Sequence, residues 1–114
     1  PDVCIVAYGT NDIRNGVSRE DYYADLLQLV NILREHKIFP IIATLPPLGD
    51  DQVNCDKVPA WNEYITVKAH ELNIGLWDRW QAFDNGNLSF IEDGRHPTRD
   101  GYLRLGENVV RFFI

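Results

Sequence analysis

Val3-Cys4-Ile5-Val6-Ala7-Tyr8-Gly9-Thr10-Asn11-Asp12 is the stretch whose reading decides the fold. Six apolar residues run without alternation, as a strand does when helices cover both of its faces in a parallel sheet. Gly9 ends the run where the chain must turn, and residues 10–17 read as a polar loop. Ser18 then opens a helix. With Asp21 three residues on it is a near match to a capping box, and Glu20 and Asp21 suit the positive end of the helix dipole. Tyr22, Leu26, Leu29, Val30 and Leu33 share one face at helical spacing, and His36-Lys37 supply cations for the helix C-terminus.

The same alternation repeats downstream. Residues 38–45 predict a second strand, with Pro40 tolerable near its start and Pro46-Pro47 as its stop. Residues 48–57 read as a polar loop. Pro59 suits the first turn of a second helix, on which Trp61, Ile65, Ala69 and Leu72 share a face. Ile74-Gly75-Leu76-Trp77-Asp78 predicts a third, short strand. Residues 79–92 hold a short helical or irregular piece and the turn Asp84-Asn85-Gly86-Asn87. A last helix is expected from Thr98 to the end of the chain, with Tyr102, Gly106, Val109, Val110 and Phe113 on its apolar face. Strand and helix alternating three times predict one α/β domain over residues 1–114, built on a parallel sheet with right-handed crossovers. Ligands gather at the carboxyl ends of such strands, and Asn11, Asp12, Asp78, Asp93 and His96 all fall there.

Composition narrows the field. The 114 residues are 45% hydrophobic and 25% charged, which suits a globular core that needs no disulfide or metal. A net charge of −6 and a pI of 4.9 argue against nucleic acid or an anionic membrane as partner. No apolar run is long enough to span a bilayer. Cys4 and Cys55 fall toward opposite ends of parallel strands, beyond disulfide reach. Cys4 reads as a buried small hydrophobe and Cys55 as a loop thiol.

The chemistry concentrates in Asp93-Gly94-Arg95-His96-Pro97. A lone histidine at a helix entry is most simply a partner for a backbone carbonyl. Here a carboxylate precedes it by three residues, Gly94 permits a bend and Pro97 fixes the exit. A carboxylate that orients an imidazole and stabilises its protonated form is the arrangement of a hydrolase base. Asn11 reads either as a turn residue after a strand or as an amide donor to a developing oxyanion. His70 and His36 fall on a solvent face and at a helix end. A metal site from Asp12, Asp78, Asp93 and His96 is conceivable chemically, though nothing in their spacing requires it. Of the two serines, Ser18 is a helix cap, and Ser89, between Leu88 and Phe90, lacks the small neighbours of a nucleophile turn. No nucleophile is apparent.

Pro1-Asp2-Val3 through Tyr8, followed by Gly9-Thr10-Asn11-Asp12, resembles the third conserved block of the SGNH hydrolases, the GDSL esterase/lipase family. Asp93-Gly94-Arg95-His96-Pro97 with Gly101-Tyr102 resembles their fifth block. Trp61-Asn62-Glu63-Tyr64 and residues 74–78 are similar to the family's helix and strand in the same order. The resemblance covers nearly the whole chain. It implies a flavodoxin-like α/β/α three-layer sandwich on a five-stranded parallel sheet, and hydrolysis of a small-molecule ester by a serine, with no metal or other cofactor. It makes His96 the general base, Asp93 its partner and Asn11 an oxyanion-hole donor. Gly9 belongs to the same block, and Asp12 completes it in a structural role. Arg95 replaces the apolar residue often found there; it reads either as a contact to an anionic substrate or, more simply, as a side chain that faces solvent.

The family's Gly-Asp-Ser block and the glycine of its second block are not in this sequence. The first two strands are therefore expected to be missing. In the strand order 2-1-3-4-5, the strand over residues 3–8 then becomes an apolar sheet edge that invites association. The expected partners are a separate N-terminal fragment carrying the serine, or a second copy through residues 3–8. The main competing expectation is a non-catalytic binding module that keeps the fold without the chemistry.

Overall fold

The computed structural model describes residues 1–113. Its centre is a three-stranded parallel sheet of β1 (Val3–Val6), β2 (Phe39–Ala43) and β3 (Gly75–Trp77) in the order β1-β2-β3. Val3 pairs with Phe39 and Val6 with Ile42, while Ile41 pairs with Gly75 and Ala43 with Trp77. The α/β class and the parallel sheet agree with the sequence reading, and β1 is an edge. Pro40 is accommodated in the central strand by register. The neighbouring amide of Phe39 donates to Asp2 on the β1 side, so the position without an N–H faces the other way, where β3 begins only opposite Ile41.

One face of the sheet is closed. Helices α2 (Arg19–Glu35) and α4 (Val58–Leu72) lie on it. Tyr22, Leu26 and Val30 from α2 and Trp61, Ile65 and Ala69 from α4 form one buried cluster with Ile42 and Leu45. Ser18 caps α2 by accepting from the Asp21 amide at 3.0 Å. Leu29 points outward, because burial follows the spacing 22, 26, 30. Buried Asn62 of α4 ties the end of β2 to the helix. Its Oδ1 accepts from the Leu45 amide at 2.7 Å and its Nδ2 donates to the Leu45 carbonyl at 2.9 Å. The other face is more open. Ile5 and Phe39 lie there, 37% and 49% exposed. Helix α6 (Arg99–Val110) is tied to that face where Trp77 Nε1 donates to Asn108 Oδ1 at 2.8 Å.

Two loops contain helices that the sequence did not announce. Short α1 (Thr10–Arg14) forms within residues 10–17 because Ile13 drops into the core. Short α3 (Gln52–Cys55) forms within residues 48–57, started by the Asp51 side chain accepting from the Asn54 amide at 3.1 Å. Residues 79–92 hold α5 (Arg79–Ala82), the glycine turn and a 3₁₀ turn over Leu88–Phe90. A two-stranded hairpin, β4 (Ile91–Glu92) and β5 (His96–Pro97), precedes α6. The expected apolar face of the last helix is largely uncovered, with Tyr102 and Val110 exposed, and the helix stops at Val110 instead of running on to the chain end as expected; Ile114 itself lies outside the described residues. Cys4 is half-buried rather than buried, and both cysteines are free thiols.

Candidate active site

The histidine stretch is a tight hairpin whose turn is made by Asp93 and Gly94, both left-handed at φ 49° and 80°. Glycine is required at residue 94 for a second reason. A Cβ there would sit 2.3 Å from Asp50 Cβ. The Asp93 carboxylate performs two tasks at once. Its Oδ1 accepts the amides of Arg95 and His96 at 3.0 and 2.9 Å, which closes the turn. Its Oδ2 lies 2.9 Å from His96 Nδ1. The ring hydrogen bond from His96, then the two amides, hold the Asp93 carboxyl down from 3.8 to about 2. An ionised carboxylate at Nδ1 fixes the proton there and leaves the lone pair on Nε2. Both side chains are well exposed, so Nε2 is accessible.

The hairpin is clamped by the polar loop over residues 48–57. The Gly49 amide donates to the Gly94 carbonyl at 2.8 Å. Asp50 then bridges two arginines, with Arg14 Nη2 2.5 Å from Oδ1 and Arg95 Nε 2.7 Å from Oδ2. Arg95 is therefore ion-paired, although more than half of its side chain meets solvent as expected. Residues 36 and 45 positions from Asp50 carry no local signal of this pairing.

On the opposite lip, β1 delivers Gly9 and α1. Gly9 has φ 129°, and a Cβ on it would lie 2.8 Å from Leu45 Cδ2 and 3.1 Å from Tyr22 Cε2. Only glycine lets the chain turn between those two side chains. Asn11 follows in the first turn of α1, exposed, and among the described residues its side-chain amide has no hydrogen-bond partner. Asn11 and His96 line one cleft of about 480 Å³. Gly9 and Asp12 line an adjoining groove of about 380 Å³ that Asn11 also borders. The site residues expected from sequence thus collect at the carboxyl edge of the sheet.

Asp78 does not join them. Its Oδ1 accepts from Thr44 Oγ1 at 3.1 Å and from the Gln81 amide at 3.0 Å, capping α5. Among the described residues no three His, Cys, Asp or Glu side chains converge as a metal site. Ser18 is engaged at its helix, and Ser89 is exposed in the 3₁₀ turn. No described side chain hydrogen-bonds His96 Nε2. Arg79, which the sequence did not single out, borders both the cleft and the groove.

An α/β fold with a carboxylate-oriented histidine at the strand ends defines a class, the flavodoxin-like hydrolase scaffolds. Within it the assignment is direct. The sequence profile of the GDSL-like lipase/acylhydrolase family matches residues 1–104, and the chain belongs to that family. A GDSL-like lipase from Bacteroides thetaiotaomicron superposes with a TM-score of 0.85 at 19% identity, over 98% of this chain and 62% of that one. Axe2, an acetylxylan esterase from Geobacillus stearothermophilus, gives 0.77 at 23% identity over 97% of this chain and 58% of that one. A multidomain esterase from Ruminococcus flavefaciens is 29% identical across 94% of this chain, which spans 15% of that protein. The chain thus corresponds to about three fifths of each solved structure and to a small part of the curated relative. Among the described residues, no helix is long and apolar enough to cross a membrane.

Proposed function

We propose that this chain is the histidine-bearing part of a serine ester hydrolase. The observation that carries the reading is the Asp93–His96 pair, with Nδ1 2.9 Å from the carboxylate and Nε2 free at a cleft shared with Asn11. In the proposed cycle, His96 Nε2 takes the proton of a serine hydroxyl as its oxygen attacks the ester carbonyl. Asp93 stabilises the imidazolium. The Asn11 side-chain amide donates to the oxyanion. Collapse breaks the ester C–O bond, and His96 returns the proton to the leaving alkoxide. Water then repeats the sequence on the acyl-serine and releases the acid.

The serine comes from outside these 114 residues, either from a longer polypeptide or from a separate chain. Two features support this. Neither serine lines the cleft that His96 borders, and β1 is an apolar sheet edge with Ile5 partly exposed, able to accept a further parallel strand. The same absence of a local serine favours one alternative, a binding module that keeps the fold without turnover.

Turnover of a p-nitrophenyl acyl ester decides between them, measured on the polypeptide that includes a Gly-Asp-Ser segment. His96→Ala is expected to lower kcat by on the order of 10⁴-fold or more. A rate near wild type in that variant would sink the assignment, and no turnover in the parent would favour the binding module.

A further inference from the structure

The cleft holds three arginines, Arg14, Arg79 and Arg95, on a chain of net charge −6. Two of them share Asp50 and are accounted for. Arg79 is not. It is half-buried, with its Nε donating to the Thr44 carbonyl at 2.8 Å and its guanidinium 5.8 Å from the Trp77 ring. Among the described residues it forms no ion pair, and nothing accepts a hydrogen bond from its two Nη groups. Asp12 borders the same groove without reaching it. The neighbouring phenols do not neutralise it either. Burial, then the charges of Asp12 and Asp25, pushes Tyr8 up to about 12, and burial pushes Tyr22 up as well. Both therefore stay uncharged at neutral pH. A half-buried cation without a counter-ion is only partly compensated by water, and an incoming anion adds the missing partner.

We infer that Arg79 anchors a carboxylate carried by the substrate, so that the site takes esters of acidic molecules, of which an O-acylated uronic acid is a simple example. This rests on the ester-hydrolase reading for the reaction but not for the binding. The guanidinium fork is held by its Nε at Thr44, its two Nη groups carry no partner among the described residues, and a planar carboxylate accepts from such a pair bidentately. Tyr102 and Leu105 on the cleft wall offer apolar surface for the body of the ligand. His96 borders the same cleft, so the ester of a molecule held at Arg79 lies within the space that the base reaches.

The test has two arms. In the first, glucuronate and glucose are titrated into the 114-residue chain, with Arg79→Gln and Arg79→Lys alongside. Saturable binding of glucuronate but not glucose is expected, weakened about tenfold or more in Arg79→Gln and less in Arg79→Lys, which keeps the charge and loses the fork. Equal affinity of the parent and Arg79→Gln for glucuronate, or no saturable binding to the parent, overturns the anchor. The wild-type contrast between the two sugars needs no variant to fold. In the second arm, the polypeptide with the serine segment is given O-acetylglucuronate and O-acetylglucose. A preference for the acidic ester that collapses in Arg79→Gln is expected. Hydrolysis of both at one ratio in parent and variant overturns the anchor and leaves the hydrolase reading standing. Hydrolysis of neither, with glucuronate binding intact, overturns the hydrolase reading and leaves the anchor.

Discussion

On the lip that ends β1, Gly9 is wedged between Leu45 and Tyr22, both almost wholly buried. On the facing lip, His96 is held by a carboxylate, two backbone amides and an aspartate clamp, all at the surface. The first lip is positioned by packing, the second by polar contacts. Packing at interior density gives almost no freedom, so Asn11 inherits its place from the core beneath it. Polar contacts at the surface are weaker and respond to pH and salt. The arrangement suits the division of labour proposed here: the backbone that carries the oxyanion donor is preset, while the base sits on an element that can adjust.

The largest effect is expected on the packed lip. Gly9→Ala places a Cβ 2.8 Å from Leu45 at a φ of 129°. Strain of about 1–3 kcal/mol adds to overpacking of about 1–3 kcal/mol. Urea unfolding is expected to show a loss of about 3 kcal/mol or more. A loss below about 1 kcal/mol would mean that the core does not lock this lip, and the contrast would disappear.

The polar lip is tested by acid. Asp93 is held at about 2 against an ordinary 3.8, through the His96 ring and the two turn amides. A folded value below the ordinary one means that the stabilising contribution is complete above 3.8 and is lost as pH falls through about 2. Amide resonances of Arg95 and His96 are expected to shift together in that window. In Asp93→Asn the step should vanish. The Gly9 amide should not move with it, and a common transition at both lips would show that they are not held independently.

These two lips also differ in how far they can be read from sequence. The run from Val3 to Tyr8, Ser18 with Asp21, and the spacing of Trp61, Ile65 and Ala69 are local patterns, and each predicts its element. The pairing of Asp93 with His96 is legible for the same reason, being a contact at three residues' spacing. Asp50 is not, because its partners are Arg14 and Arg95, far away in sequence and joined only by the fold. Arg79 is missed because nothing in Asp78-Arg79-Trp80 announces that its side chain crosses toward Thr44. Helix α1 is missed because Ile13 alone anchors it, and one apolar residue in a polar loop has no periodicity to detect.

The smallest effect is expected at Thr98, where the polar lip meets α6. Its amide donates to the Phe90 carbonyl at 2.7 Å, joining the helix entry to the 3₁₀ turn, and its hydroxyl oxygen accepts from the Gly101 amide at 3.0 Å, capping the helix. Thr98→Ala keeps the first contact and removes the second. A cap of this kind contributes about 1 kcal/mol, and urea unfolding should register a loss of that size. Thr98→Ser, which retains the hydroxyl, should recover most of it. The comparison sets the meaning of the result. If the polar lip is a set of separable surface contacts, the loss stays near the value of one cap and the acid step at Asp93 is unchanged. If the loss approaches that of Gly9→Ala, then Phe83, Phe90 and Gly101, which pack beneath Thr98, carry His96 on a second small core, and both lips are preset by packing.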